Sequence, residues 1–217
     1  MNLNTVMKNI SVTAMTCFIG FYGISKADQI DSDSSVLFAG IDWRDKANFS
    51  YIGLTQHYNG DILSDGFLIR AMVGHSNYEY STEFDPRIDA TANSLELMLG
   101  YQKVMDNYLA RGFLGLEYED HELSPDNTFD ENRGSDIGAK VRVELETDFA
   151  SPNYASLFAS YGTAKNRYWA RIRGGYDFSG YVIGPEAITL GDQEYSERRL
   201  GLFMTVRKRP NRRSLYS

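Results

Sequence analysis

Histidine, serine and carboxylate side chains come together once in this sequence, along Glu119-Asp120-His121-Glu122-Leu123-Ser124. A hydrolase uses such a set as base, nucleophile and orienting acid, with the base within hydrogen-bond reach of the hydroxyl. The flanking residues point elsewhere. Ser124-Pro125-Asp126-Asn127 has the composition of a turn opener, and no Gly-x-Ser-x-Gly elbow is present to hold a serine in a strained, exposed position. Asp120, Glu122, Asp126, Asp130 and Glu131 offer carboxylates to a calcium ion, but their spacing departs from the regular loop pattern, and a solvated acidic loop is the simpler account. His57 and His75 are far apart at the ends of extended segments and make no defensible metal-ligand pair. No catalytic residue, metal ligand or cofactor is assigned, and the chain is read as a non-enzyme.

A second set of residues carries chemistry of another kind. Arg167, Trp169, Arg171, Arg173 and Asp177 alternate with Tyr168, Ala170, Ile172, Tyr176 and Phe178. Successive side chains of a strand point to opposite faces, so one face here is charged and the other apolar. The candidate inner-face residues are Trp169, Arg171, Arg173, Glu117, Glu186, Arg70 and Arg142, with Glu96, Lys140, Glu144 and Arg199 able to join them. Two readings remain open. The first is a network of ion pairs filling a narrow barrel, favoured because small barrels are filled by their own side chains. The second is a saccharide-contacting lumen, with Trp169 stacked on a sugar ring and the charged groups bonded to hydroxyls.

The elements that would position these residues are long alternating strands. Tyr108, Ala110, Gly112, Leu114, Leu116 and Tyr118 share one parity, whereas Arg111, Gly115 and Glu117 share the other, with Leu109 and Phe113 as exceptions. Ile137, Ala139, Val141, Val143 and Leu145 alternate in the same way with Lys140, Arg142, Glu144 and Glu146. About ten residues at ~3.3 Å each, tilted by ~40°, span roughly 25 Å, the height of the apolar band of an outer-membrane barrel. Strands of a soluble sandwich are shorter, near five or six residues. Ten strands are expected, near 35–43, 48–56, 66–76, 92–103, 107–118, 134–146, 154–162, 167–178, 180–188 and 197–207. Long polar connections at 77–91 and 119–133 fall on one side, and tight turns at Val104–Asp106 and the single Ser179 on the other, periplasmic side. The expected fold is all-β: an antiparallel up-and-down transmembrane β-barrel of about ten strands, within a range of ten to twelve.

The ends of the chain bear on the compartment. Lys8 is the sole charge before an apolar run from Ile10 to Ile24, and Ser25-Lys26-Ala27 places small residues at the positions a signal peptidase reads. At about fifteen residues the run is short for a spanning helix, which needs about twenty. The expectation is a cleaved signal peptide at 1–27, a barrel at 28–207 and a basic tail at 208–217. Cys17 lies in the apolar run, so the mature chain holds no cysteine, disulfide or thiolate metal site. It keeps 20 basic and 29 acidic residues, a net charge of −9. That balance excludes a strongly basic nucleic-acid face.

Several short stretches also resemble a known family. They are Asp65-Gly66 followed by Phe67-Leu68-Ile69-Arg70, then Leu99-Gly100-Tyr101-Gln102, then Gly115-Leu116-Glu117-Tyr118-Glu119-Asp120-His121-Glu122-Leu123-Ser124-Pro125. Tyr168-Trp169-Ala170-Arg171-Ile172-Arg173-Gly174-Gly175-Tyr176, Gly184-Pro185-Glu186 and Arg199-Leu200-Gly201-Leu202-Phe203 complete the series. In order and spacing the chain resembles the cellulose biosynthesis protein family BcsS over most of its mature length. The resemblance implies an accessory of bacterial cellulose production sited in the outer membrane, and the chain is read as a non-enzymatic accessory of cellulose (exopolysaccharide) biosynthesis and secretion in a Gram-negative bacterium. It implies outer-membrane lipids, cellulose and other components of the cellulose-synthase complex as partners. An outer-membrane enzyme acting on lipid or polysaccharide, and a soluble periplasmic sugar-binding sandwich, are the alternatives.

Overall fold

The computed structural model describes residues 11–22, 34–44, 46–58, 64–80, 87–124, 133–147, 151–192 and 196–206. The strands are β1 (Ser11–Tyr22), β2 (Ser35–Arg44), β3 (Ala47–His57), β4 (Gly66–Tyr80), β5 (Ile88–Met105) and β6 (Tyr108–Ser124). They continue with β7 (Gly134–Thr147), β8 (Asn153–Gly162), β9 (Arg167–Phe178), β10 (Tyr181–Gly191) and β11 (Ser196–Val206). From β2 to β11 each strand pairs antiparallel with the next in chain order. β1 closes the ring, antiparallel to β2 and parallel to β11.

The ten expected strands are all present, with two differences of extent. β4, β5 and β6 run on through much of what reads as the long connections, to Tyr80, from Ile88 and to Ser124. The polar residues there alternate as strictly as the apolar ones. His75, Asn77 and Glu79 face out while Ser76 and Tyr78 face in, so the ladder continues although the hydrophobic signal that marks a strand has stopped. The second difference is β1, which occupies the apolar run read as the centre of a signal peptide. A charge-free stretch of apolar residues suits a sheet as well as a helix, and here it covers the open edges of β2 and β11. The proposed cleavage site at 25–27 and the basic tail at 208–217 lie outside the described residues.

Turn chemistry fixes the register at two points. β9 and β10 are joined by Ser179 and Gly180 rather than by Ser179 alone, with φ of 58° and 99°. Two left-handed residues make the tight hairpin whose twist matches that of its strands, and the Gly180 N–H donates to Asp177 Oδ1 at 2.6 Å. Between β8 and β9 a short 3-10 turn, Ala164–Asn166, folds onto the inner wall. Gly138 admits it, because a Cβ there would sit 2.1 Å from the Ala164 nitrogen. The Ala139 N–H donates to Thr163 Oγ1 at 2.8 Å, which ties the turn to β7.

The two faces of the sheet differ sharply. Val73, Leu95, Tyr118 and Ile137 form one outward row across β4–β7, and all four are exposed. The next row toward the Tyr80 end is His75, Asn93, Asp120 and Ser135. Below the boundary the outside is apolar, with Ile69, Leu97, Leu99, Leu114, Leu116, Val141 and Val143 all exposed. On β6, from Tyr118 to Tyr108, this band covers about ten residues, roughly 25 Å along the barrel axis at ordinary rise and tilt. Phe67 and Tyr101 meet edge-on near its lower rim, with ring centroids 5.3 Å apart. Among the described residues no helix is long and apolar enough to cross a membrane.

Candidate functional site: the barrel lumen

Inward parity places Glu96, Arg111, Glu117, Lys140, Arg142, Glu144 and Glu146 on the wall formed by β5, β6 and β7. Carboxylates and cations interleave there across strands. Lys140 Nζ lies 2.5 Å from Glu96 Oε1 and 2.7 Å from Glu117 Oε2. Arg142 Nη2 donates to the other oxygen of Glu96 at 2.6 Å. Arg70, from β4, forms a two-pronged pair with Glu144 and also donates from Nε to Thr55 Oγ1 at 2.9 Å. Its guanidinium lies over the Phe113 ring at 4.1 Å and over Phe38 at 5.2 Å. Arg111 adds Glu146 at 3.5 Å and a bond from Nε to Gln102 Oε1 at 2.8 Å.

The charges of this wall are paired, although Glu117 Oε1 and Arg142 Nε are buried without a hydrogen-bond partner. Each cation holds at least one carboxylate, and Glu117 packs so closely on Gly162 that a Cβ at 162 would fall 1.8 Å from its Oε1. Interior charges are tolerable only when paired and hydrogen-bonded in this way. Leu68, Met98 and Phe113 form the apolar cluster that supports it.

β8, β9 and β10 line the lumen differently. Arg173 pairs with Glu186 through Nε at 2.8 Å and lies over the Phe203 ring at 4.7 Å. Trp169 and Phe158 meet edge-on with centroids 4.5 Å apart. Arg171 lies 4.8 Å from the Trp169 ring centroid and 5.9 Å from that of Phe158, and it sits beside the Tyr51 hydroxyl on β3. Arg142 reaches Phe158 from the neighbouring wall, 4.9 Å from the ring centroid. Among the described residues Arg171 is the inward cation with no carboxylate at ion-pair distance, and its buried Nε has no hydrogen-bond partner. A guanidinium against aromatic faces is held by cation–π attraction, which leaves its edge donors available.

All seven candidate inner-face residues, Trp169, Arg171, Arg173, Glu117, Glu186, Arg70 and Arg142, project into the lumen, as do Glu96, Lys140, Glu144 and Arg199. They form two groups rather than one network. Arg173 meets Glu186, and Trp169 meets Arg171, whereas Arg70, Arg142 and Glu117 belong to the ion-paired wall. Sequence reasoning missed Phe158, Tyr51, Arg111 and Glu119. Parity supplied a usable signal for Arg111 and Glu119. It supplied little for Phe158, because β8 carries small or apolar residues on both faces.

His121 and Ser124 have different places from those the sequence suggested. Both lie on β6, not in a loop, and their opposite parity puts His121 inside and Ser124 outside. His121 is buried between the Tyr78 hydroxyl at 3.2 Å, Glu119 at 3.3 Å and Arg167 at 3.3 Å. Arg167 pairs with Glu119 at 3.0 Å. A base on one face of a strand cannot reach a hydroxyl on the other. Of the loop acids, Asp120 and Glu122 face outward on β6, and 126, 130 and 131 lie outside the described residues; no cluster suited to a metal ion occurs among the residues described.

Near the lower rim of the apolar band the Lys103 ammonium and the Val104 N–H both bond to Asp65 ahead of β4 and hold its carboxyl below the usual value.

No curated protein and no solved structure shows a significant match to the chain. The family model for cellulose biosynthesis protein BcsS matches residues 36–210, the stretch that holds almost all of β2–β11 and hence both walls of the lumen, and the chain therefore belongs to that family.

Proposed function

We propose that this protein is a non-enzymatic accessory of cellulose biosynthesis that sits as a β-barrel in the outer membrane, after loss of residues 1–27 as a signal peptide. Family membership supplies the link to cellulose biosynthesis. The observation that carries the membrane reading is the exposed apolar band, bounded across four strands by Val73, Leu95, Tyr118 and Ile137 and followed at once by a polar row. So much exposed apolar surface is uncommon on a soluble monomer, and its height matches a bilayer.

Within the barrel the Trp169–Arg171–Phe158–Tyr51 cluster is the surface suited to a glucan. Aromatic faces pack on the C–H faces of a sugar ring while guanidinium donors bond to its hydroxyls. The ion-paired wall is the filling that keeps the lumen narrow, so contact with a strand or a chain end fits this interior better than conduction of a polymer. The non-enzymatic reading is supported by the separation of His121 and Ser124 on opposite faces of β6.

The test is the partition of cellulose between medium and cell in an in-frame deletion strain, complemented with the intact gene, Trp169→Ala or Arg171→Gln. Export should fall in the deletion strain while synthesis continues, and both variants should restore it poorly. Unchanged pools in the deletion strain would remove the secretion role. Full rescue by both variants would remove the lumen site. An outer-membrane fraction that migrates identically boiled and unboiled would remove the barrel.

A further inference from the structure

Strand parity and register at the closure of the ring carry an inference about the mature barrel, and it rests on the signal-peptide reading above. We infer that loss of residues 1–27 allows β2 and β11 to pair directly, giving a ten-stranded, wholly antiparallel barrel in which Ile41 faces Met204.

Among the described pairings β1–β11 is the parallel one. An up-and-down ring with an odd number of strands must contain one parallel pair, whereas bacterial outer-membrane barrels have even strand numbers. Removing β1 leaves ten strands and removes the conflict. The family match also begins at Val36, within β2, and so lies beyond β1.

β1 records how its two neighbours would meet. Thr16 is opposite Asp42 on one side and Phe203 on the other; Cys17 is opposite Ile41 and Met204. Phe18 is opposite Gly40 and Thr205, and Ile19 is opposite Ala39 and Val206. Closing the gap sideways therefore brings together Asp42 with Phe203, Ile41 with Met204, Gly40 with Thr205 and Ala39 with Val206. One number falls as the other rises, which is an antiparallel register without a slip.

The faces agree as well. Gly40, Asp42, Phe203 and Thr205 all point inward, while Ile41 and Met204 are both exposed on the outside. A shift by one residue would turn Asp42 or its partners toward the apolar exterior, so parity selects this register or one two residues away. The inner face already bridges the seam, because Arg199 of β11 reaches Asp42 of β2 at 2.9 Å and is bonded to Glu197 at 2.9 Å.

The only cysteine of the chain, Cys17, lies within residues 1–27, so introduced thiols report on the seam alone once those residues are gone. The experiment expresses the full chain carrying Ile41→Cys and Met204→Cys in a bacterium that processes it, and oxidises the isolated outer membranes. The expected result is an intramolecular crosslink, seen as a reductant-sensitive mobility change after boiling and absent from each single variant. Ala39→Cys with Val206→Cys provides a second pair, and Ile41→Cys with Leu202→Cys should crosslink several-fold less. Heat-modified mobility confirms that each variant has folded. Crosslinks mainly between molecules, or folded protein in which both thiols of both matched pairs stay open to alkylation, would overturn the register while leaving cleavage intact. A crosslink from Cys17 to Ile41→Cys in the single variant, with an uncleaved mass, would show that residues 1–27 are retained, and the signal-peptide reading and this proposal would fail together.

Discussion

The wall built by β4–β7 and the wall built by β8–β11 solve the same problem, charged side chains inside a narrow barrel, in opposite ways. The first is tall, its central strands β5 and β6 running for 18 and 17 residues, and its cations are each held by carboxylates from other strands. The second is low, with strands of 10 to 12 residues, and sets Arg171 among aromatic rings instead of a carboxylate. An ion pair consumes the donors of a guanidinium, whereas an aromatic face leaves them unused. The tall wall is built to stay closed, and the low wall is where a ligand would find both a flat apolar surface and hydrogen-bond donors.

The largest effect should come from the centre of the paired wall. Glu96→Ala leaves Lys140 and Arg142 without their shared carboxylate, and breaking a buried pair from one side costs about 3 kcal/mol or more. Urea titration of the folded protein in detergent, followed by heat-modified mobility, should show a lower midpoint and an unfolding free energy reduced by that amount. An unchanged midpoint would mean the ion pairs are incidental to closure. Gly138→Ala should come next, since its Cβ would meet the Ala164 backbone at 2.1 Å and the turn would have to move. Overpacking of this kind costs about 1–3 kcal/mol. The same titration reads it, and a neutral result would separate the turn from the wall.

A smaller stability effect, but a functional one, is expected on the low wall. Arg171→Gln gives up cation–π contacts worth about 0.5–2 kcal/mol and keeps a hydrogen-bonding side chain. Its folding midpoint should therefore move less than that of Glu96→Ala, while cellulose export falls. If the order were reversed, the low wall would be the structural one. Ser124→Ala, on the outer face of β6 and exposed, should alter neither the midpoint nor cellulose output. Loss of cellulose export in that folded variant would revive an enzymatic role for Ser124.

A small effect is expected near the lower rim of the band, at Asp65. Its carboxyl is held below the usual value by Lys103 and the Val104 N–H, so the stabilisation is present above the unfolded carboxylate value of about 4 and is lost as pH falls through the lower folded value. Asp65→Asn should be slightly less stable than the parent at neutral pH and equal to it in strong acid. A gap that widens in acid would give the opposite sign and exclude this ion pair as its cause.

Much of the inner face was legible in advance, because parity is a local property. Arg171 and Arg173 must point with Trp169 in any extended segment from 167 to 178, and Lys140 and Arg142 must point away from Val141 and Val143. The extension of β4–β6 was not legible, because their upper residues are polar on the outside and hydrophobic alternation is the signal that identifies a strand. Phe158 escaped for the opposite reason, lying in a segment where both faces are small or apolar. His121 was misplaced because Ser124-Pro125 reads as a turn opener, which placed the residues just before it in a loop as well.

Amino-acid order alone determined that the chain makes long antiparallel strands, that one face is apolar and the other charged, and which side chain belongs to which face. The cause is the two-residue repeat of extended backbone, which no distant contact can change without reversing every side chain at once. Only the closed sheet decided which inner charges meet. Arg70 finds Glu144 from 74 residues away, and Arg171 finds Tyr51 rather than a carboxylate. Those partners depend on strand number, stagger and curvature, which are properties of the whole ring and of no segment within it.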